Sequence, residues 1–368
     1  MAAVIAPIRN AYAFRANATK TRRQLLAHGP QLTRKLNFRS IAGMSSRYTS
    51  AINVSTVLGS GGQHLGSKER LMKVGFIGLG AMGGVMAANL LKGAQSLAVY
   101  NRTPEKAEPL VARGAILAKT PAEAARDGIV ISMLADDAAV EAVVFADEGL
   151  LDGLPPGAIH ISMSTISLAL AERLATAHRQ RRQHFVSAPV FGRPEAAAAA
   201  KLFIVAAGEA EAVAACQPLF NILGQRTFVI AAEAPKANLV KLSGNFLIAS
   251  VIECLGEAFA LTSKGGIDRE GYHEILINTL FGAPVYKTYG ELIAKERYTP
   301  AVFKVALGYK DIHLALDAAE TLAAPMPVAS LIHDRLLSLI ASGAEDLDWS
   351  ALATLAERDA GSNSPMSA

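Results

Sequence analysis

Lys73-Val-Gly-Phe-Ile-Gly78-Leu79-Gly80-Ala81-Met82-Gly83-Gly-Val-Met86-Ala-Ala-Asn89 is the stretch that decides the fold. A short apolar run, Val74 to Ile77, passes straight into Gly78-x-Gly80-x-x-Gly83, and a helical pattern follows. In such a turn the first glycine permits a tight bend and the second lets the backbone approach a pyrophosphate. The third lets helix and strand pack closely. The helix then turns its free N–H groups and the positive end of its dipole toward the phosphates. A lone glycine spacing of this kind would signal only a turn. Its strand–turn–helix setting points to dinucleotide binding through Gly78, Leu79, Gly80, Ala81, Met82 and Gly83.

Working outward, short β-branched runs at 74–77, 97–100, 129–133 and 158–161 alternate with helices expected near 82–92, 104–113, 121–126 and 137–145. Thr103-Pro104 and Thr120-Pro121 open two of these helices as N-cap and first-turn pairs. The alternation predicts a parallel, doubly wound sheet, which further short strands near 184–188, 203–207 and 227–230 carry to about residue 232. Beyond Pro235 the pattern is helical throughout. A run over 236–264 contains no proline and reads as one long helix, with others at about 268–280, 284–295, 301–323 and 327–342. The expected organisation is α/β: a Rossmann-type domain over 72–234, an all-α domain over 235–360 joined by a long interdomain helix, and a tail over 361–368.

Half of the 368 residues are hydrophobic and 18% are charged, enough for two domains with large cores. Two cysteines, Cys216 and Cys254, both in apolar helical settings, argue against a disulfide framework, a metal site and an oxidising compartment. The most apolar segment, 246–261, is interrupted by Glu253 and Glu257, so no membrane span is expected. The net charge of +4 is unevenly spread: residues 1–68 hold ten Lys/Arg and no acid, leaving 26 basic against 32 acidic residues beyond them. That acidic balance disfavours a nucleic-acid-binding body. Two readings of residues 1–71 are open. One is a mitochondrial transit peptide; the other, preferred because Met72 immediately precedes the first strand, is sequence upstream of a cytoplasmic protein's start. Either reading predicts disorder there.

Several residues carry candidate chemistry. The second strand ends Tyr100-Asn101-Arg102-Thr103, eighteen residues past Gly83, where a carboxylate would bind the ribose of NAD. Asn101 and Arg102 instead leave nothing to repel a 2′-phosphate and supply a guanidinium to pair with it, which favours NADP, with NAD possible. Leu134, just past the third strand, joins the cofactor set. Lys241 and Asn245 lie four residues apart on the long helix and share one face. Together they could polarise a carbonyl and deliver a proton, and among apolar neighbours such as Leu242 and Phe246 a lysine needs a reason. Ser164 and Thr165 follow the strand at 158–161, at the carboxyl edge where such sheets bind ligands; the plainer reading is a cap for the helix near Ser167. Phe191, Gly192 and Arg193 follow another strand and could form a substrate loop, or simply a rigid turn. Lys310-Asp311, inside a late helix, reads by default as an exposed ion pair.

These residues together resemble the β-hydroxyacid dehydrogenase family, from about Lys73 to about residue 355. Gly78-Leu-Gly80-Ala-Met-Gly83-x-x-Met86-Ala-x-Asn89-Leu follows its cofactor signature, and Met163-Ser164-Thr165-Ile166-Ser167 its Ser-Thr loop. Lys241-x-x-x-Asn245 follows its catalytic helix, and Phe303 with Lys310-Asp311 its C-terminal signature. The resemblance implies that Lys241 is the catalytic lysine, Asn245 its partner, and Thr165 and Lys310 cofactor contacts. It also implies a small-molecule substrate and a homodimer or homotetramer. One departure matters: where the family reads Asp-Ala-Pro-Val-Ser-Gly-Gly and holds the substrate carboxylate, this chain has Ser187, Phe191 and Arg193. Rival readings are an imine reductase, which would usually lack the lysine, and a non-catalytic cofactor-binding module with the basic arm as a tether. A decarboxylating phosphogluconate dehydrogenase would need a larger helical domain.

Overall fold

The computed structural model describes residues 72–93 and 96–361, which belong to one compact unit starting at Lys68. The expectations for residues 1–71 and for the tail past Gly361 fall outside them. Strand β1 (Lys73–Ile77) leads into α1 (Ala81–Lys92), β2 (Ser96–Tyr100), a 3₁₀ turn continued by α2 (Glu108–Val111), β3 (Ile116–Leu117), α3 (Pro121–Ala125), β4 (Ile129–Ser132), α4 (Asp137–Val144), α5 (Leu150–Gly153) and β5 (Ile159–Ser162). Then come α6 (Leu168–Gln180), β6 (His184–Ser187), β7 (Val190–Phe191), α7 (Pro194–Ala198), β8 (Leu202–Ala207), α8 (Ala210–Leu223) and β9 (Gly224–Ala231). A helical layer follows: α9 (Pro235–Lys264), α10 (Arg269–Ile277), α11 (Pro284–Ala294), α12 (Val305–Thr321), α13 (Pro327–Ala341) and α14 (Ala353–Asp359).

The sheet runs β3-β2-β1-β4-β5-β6-β8-β7, with β9 added to β8. It is parallel from β3 to β6 and doubly wound. Alternate residues point to opposite faces, so Phe76 joins Met86, Leu90 and Phe220 in the core under α1 and α8. Its neighbour Ile77 joins Val140, Ile166 and Leu174 in the core under α4 and α6. The parallel, doubly wound sheet is as expected apart from one end, where β6 and β7 pair antiparallel with β8. Parallel neighbours need a crossover of a dozen residues or more. Only the short α7 separates β7 from β8, so the chain doubles back instead. Helix α8, with Pro218 in its interior, has no counterpart among the expected elements.

Helix α9 is the spine of the helical layer, with Ile252 and Phe259 buried among Ile332, Trp349 and Leu355. It is the one helix among the described residues long and apolar enough to cross a membrane by length and composition. The expectation that Glu253 and Glu257 would cut its apolar run short is therefore corrected. Glu253 points into the bundle and pairs with Arg335, which also meets Asp359 at 3.0 Å. Helix α12 starts at Val305, four residues later than the sequence pattern suggests. The amides of Val302 and Phe303 are taken instead by the Asp348 carboxylate, each at 3.2 Å.

Candidate functional site

The three glycines of the opening turn do different work. Gly78 has φ +96, and a Cβ there would stand 2.3 Å from the Met133 carbonyl oxygen. At Gly83 a Cβ would come within 1.9 Å of the Gly78 carbonyl oxygen. At Gly80 it would meet nothing within 4 Å. Two glycines therefore close the turn and the third leaves space beside it. Gly80 is also the N-cap of α1 and provides no side-chain bond, so the first amides of the helix remain available to an anion. Asn101 Oδ1 accepts from Leu79 N at 2.9 Å and its Nδ2 donates to Thr103 O at 2.9 Å, which fixes the end of β2 to the turn. Arg102 is exposed beside it. An open approach at Gly80, an uncapped helix start and a free guanidinium at the end of β2 fit a phosphorylated dinucleotide. Ala81 and Met82 begin α1, and the Leu134 side chain lies against Gly78.

A cleft of about 720 Å³ opens between the carboxyl edge of the sheet and α9, with Met82, Thr165, Phe191, Arg193, Lys241 and Asn245 on its wall. Lys241 Nζ donates to Asn245 Oδ1 at 2.8 Å, and Asn245 Nδ2 donates to Asp311 Oδ2 at 2.5 Å. The Asp311 carboxylate, 2% exposed, meets Lys310 Nζ at 2.8 Å, and Lys310 Nζ also donates to Thr165 O at 2.6 Å. The default reading of Lys310-Asp311 as an exposed pair is thus corrected. The pair lies inside, where α12 faces α9 and the loop after β5. Burial pulls the Lys241 ammonium down to about 8; Asp311 opposes that shift and Lys310 adds to it.

Ser164 is not part of this wall. Its side chain is fully buried and its Oγ accepts from Leu134 N at 2.8 Å, tying the loops after β4 and β5 together. The plainer reading, in which Ser164 or Thr165 caps the helix near Ser167, is corrected as well: Ser167 itself caps α6 by accepting from Leu170 N. Asn238 was not singled out from the sequence. Its Oδ1 accepts from Ile166 N at 3.2 Å and its Nδ2 donates to Ser187 Oγ at 2.8 Å, fastening α9 to the ends of β5 and β6. The spacing 238, 241, 245 places it on the helix face of the lysine, which is the signal that could have found it. Asn89 in α1 donates to Ala197 O at 2.7 Å and so couples that helix to α7.

The loop that departs from the family pattern is built into both layers. The Phe191 ring covers Gly244 of α9 so closely that a Cβ there would stand 2.4 Å from it, and Lys241 Nζ lies 4.4 Å from the ring centre. Gly192 has φ +142. Arg193 Nη2 meets Asp348 Oδ2 at 3.4 Å, and its guanidinium lies 5.5 Å from the Tyr289 ring centre. Asp348, also unanticipated from the sequence, accepts at Oδ1 from the amide and hydroxyl of Ser350.

Residues 73–231 match the family model described as the NAD binding domain of 6-phosphogluconate dehydrogenase. Residues 236–356 match that described as NAD-binding of NADP-dependent 3-hydroxyisobutyrate dehydrogenase. The chain is similar to an uncharacterized oxidoreductase, YfjR, of Bacillus subtilis, at 48% identity over 76% of the chain and 98% of the relative. It is 33% identical to glyoxylate/succinic semialdehyde reductase 1 of Arabidopsis thaliana, over 76% of the chain and 97% of that protein. The crystal structure of a 3-hydroxyisobutyrate dehydrogenase from Salmonella typhimurium superposes with a TM-score of 0.71 at 25% identity. That match covers 77% of the chain and 99% of the other.

Proposed function

The chain belongs to the β-hydroxyacid dehydrogenase family, and from that membership we propose which of its side chains carry the reaction. It is an NAD(P)-dependent oxidoreductase acting between a CH–OH group and the matching carbonyl. The observation that carries the site assignment is the hydrogen-bonded line Lys241–Asn245–Asp311, whose first two members line the cleft while the carboxylate is buried behind them. Gly78, Leu79, Gly80, Ala81, Met82 and Gly83 would hold the pyrophosphate. Asn101, Arg102 and Thr103 would hold the 2′-phosphate side, and Leu134, Thr165 and Lys310 would complete the cofactor's bed. When bound, NADPH supplies the hydride that adds to the carbonyl carbon, and NADP⁺ accepts it in the reverse direction.

Lys241 then works on the oxygen. Its ammonium donates a hydrogen bond to the carbonyl, and as the C=O π pair becomes an O–H bond the proton passes from Nζ to that oxygen. In the oxidative direction the neutral amine takes it back. Asn245 aims Nζ by accepting one of its three N–H bonds, and Asp311 fixes the orientation of the Asn245 amide. Such orientation keeps the reacting groups within attack distance. Small hydroxy acids, aldehydes and keto acids fit the cleft as a class. In the test, NADPH absorbance is followed over a panel of these compounds. Lys241→Ala is expected to lower turnover by more than about a hundredfold, the lower end of what general acid–base groups contribute, with NADPH affinity retained. Turnover above that mark in the variant refutes the assignment of Lys241.

The helical layer supports a further reading, that the chain assembles as a homodimer or homotetramer. Its outer faces carry Leu247, Leu261, Ile275 and Leu280, all exposed, and apolar surface of that kind favours association. Sedimentation of the protein as a monomer at micromolar concentration would refute it.

A further inference from the structure

We propose that Arg193 and Trp349 together anchor a substrate carboxylate on the wall of the cleft, so that oxo acids and the matching hydroxy acids are taken in preference to uncharged analogues. The proposal rests on the hydride-transfer reading above and narrows its substrate. Two buried donors carry it. Arg193 Nη1 and Trp349 Nε1 are closed off from solvent, and neither has a hydrogen-bond partner among the described residues. Both residues line the cleft that Lys241 also lines. They come from different layers, Arg193 from the loop after β7 and Trp349 from the 3₁₀ turn before α14, and they meet at Tyr289 of α11. The Arg193 guanidinium lies 5.5 Å from the Tyr289 ring centre, and the Trp349 ring stands edge-on to that ring at 5.8 Å. Burial pushes the Tyr289 phenol up; Arg193 and Trp349, near its oxygen without completing a hydrogen bond, act the other way.

A buried N–H without an acceptor is costly, and more so on a cation. A carboxylate answers both donors at once: it is planar, anionic and accepts at each of its two oxygens. Asp348 does not fill that place. It meets Arg193 through Nη2 alone, at 3.4 Å, and its oxygens also accept from the amides of Val302, Phe303 and Ser350 and from the Ser350 hydroxyl. Its charge is thus shared among several donors, and it holds the guanidinium in position while Nη1 stays unpaired. A small turn about that long contact brings Nη1 to the cleft. Trp349 is the fixed half of the anchor: it is 3% exposed, with the Phe303 ring 4.6 Å away and Gly308 of α12 against its ring. Of the other cations on the wall, Lys241 is committed to Asn245 and the reacting oxygen, and Lys201 is exposed. Phe191, Ile248, Val285 and Phe303 line the same cleft and offer a carboxylate nothing in exchange for its water.

The test compares 4-oxobutanoate with its methyl ester, which keeps the aldehyde and loses the charge, by NADPH absorbance. The acid should show a kcat/KM at least about tenfold higher, the scale of one charge-assisted hydrogen bond. Arg193→Met should bring that ratio close to one. Trp349→Phe keeps an aromatic ring, removes the N–H and leaves the Arg193–Asp348 contact in place; it should lower the ratio on its own. Lys201→Ala should leave the ratio as it is. Binding is read without turnover from Trp349, the single tryptophan of the chain. Succinate titrated into the NADP⁺-loaded protein should change its fluorescence, and Arg193→Met should need about tenfold more succinate for the same change. Equal kcat/KM for acid and ester in the parent overturns the proposal, as does a ratio that survives both variants or falls in Lys201→Ala instead. Each of those results leaves the oxidoreductase reading standing. No NADPH consumption with either aldehyde, beside succinate binding that Arg193→Met weakens, would instead overturn the hydride-transfer reading and leave the anchor in place.

Discussion

Lys241 and Asn245, one turn apart on α9, are joined by a hydrogen bond of 2.8 Å from Nζ to Oδ1. The spacing puts both on one helix face, and Asp311 on α12 holds the far side of the carboxamide. The lysine is thereby oriented without being paired directly to a carboxylate, which would hold its proton too tightly for exchange near neutral pH.

The first prediction is a pH profile. Burial brings Lys241 to about 8, so reduction, which needs the ammonium, should lose kcat/KM as pH rises through about 8. Oxidation, which needs the free amine, should gain it over the same interval. Asp311→Asn removes the charge that opposes the shift, and both inflections should move to lower pH. Profiles recorded on each side of neutrality by NADPH absorbance check this. An inflection that stays in place in Asp311→Asn refutes the coupling.

The second prediction concerns cofactor choice. Asn101 spends both ends of its amide on Leu79 N and Thr103 O and so serves to shape the turn, while the exposed Arg102 is the group left to meet a 2′-phosphate. Arg102→Ala should therefore raise KM for NADPH by about tenfold, the size of a charge-assisted contact, and leave KM for NADH unaltered. Equal losses for both cofactors would show that Arg102 shapes the turn and does not read the phosphate.

How much of this was legible in the sequence depends on how local each signal is. The glycine turn and the Lys241–Asn245 pair are short-range patterns, and the helix period alone brings the latter two together. The Arg193–Asp348 contact joins residues 155 positions apart, and nothing in local spacing brings a carboxylate of the helical layer to a loop of the sheet. Ser164 shows the opposite failure. Its place after a strand suggested a ligand contact, but the amide of Leu134 had prior claim on its hydroxyl. The antiparallel return was hidden because β7, at two residues, carries almost no periodicity.

The third prediction separates fold from function within one turn. Gly80→Ala adds a methyl group into open space at φ −71, a value alanine adopts freely. The Tm should hardly change, while NADPH affinity falls because the methyl group occupies the approach to the helix start. Gly83→Ala drives a methyl group into the Gly78 carbonyl, and the backbone shift it forces should cost about 1–3 kcal/mol. Thermal melts and cofactor titrations on both variants check the pair. A Gly80→Ala protein that binds NADPH as tightly as the parent refutes the placement of the pyrophosphate.

The fourth prediction comes from a polar line buried in the sheet layer. His160 Nε2 lies 2.8 Å from Ser132 Oγ, its Nδ1 lies 2.9 Å from His178 Nε2, and His178 Nδ1 lies 2.7 Å from Gln183 Oε1. The Gln183 oxygen can only accept, because its Nε2 donates to Leu151 O at 3.0 Å. His178 must therefore donate from Nδ1 and accept at Nε2 from His160, which in turn accepts from the Ser132 hydroxyl. Each ring has one hydrogen and no place for a second. Burial, with Arg181 adding to it, brings His178 down to about 4 despite its bond to Gln183. Burial and the neighbouring His178 hold His160 well below 6.5. In the unfolded chain both rings titrate near 6.5, so at pH below that value the unfolded state binds more protons and stability falls as pH falls. Between about pH 6.5 and 5, before most carboxylates protonate, unfolding should take up as many as about two protons and Tm should drop steadily. Replacing both rings with leucine should lower Tm at neutral pH, since Gln183 Oε1 loses its donor, and should flatten the slope over that interval. A parent Tm that stays level from about pH 6.5 to 5 would show that the two histidines are already charged within the fold.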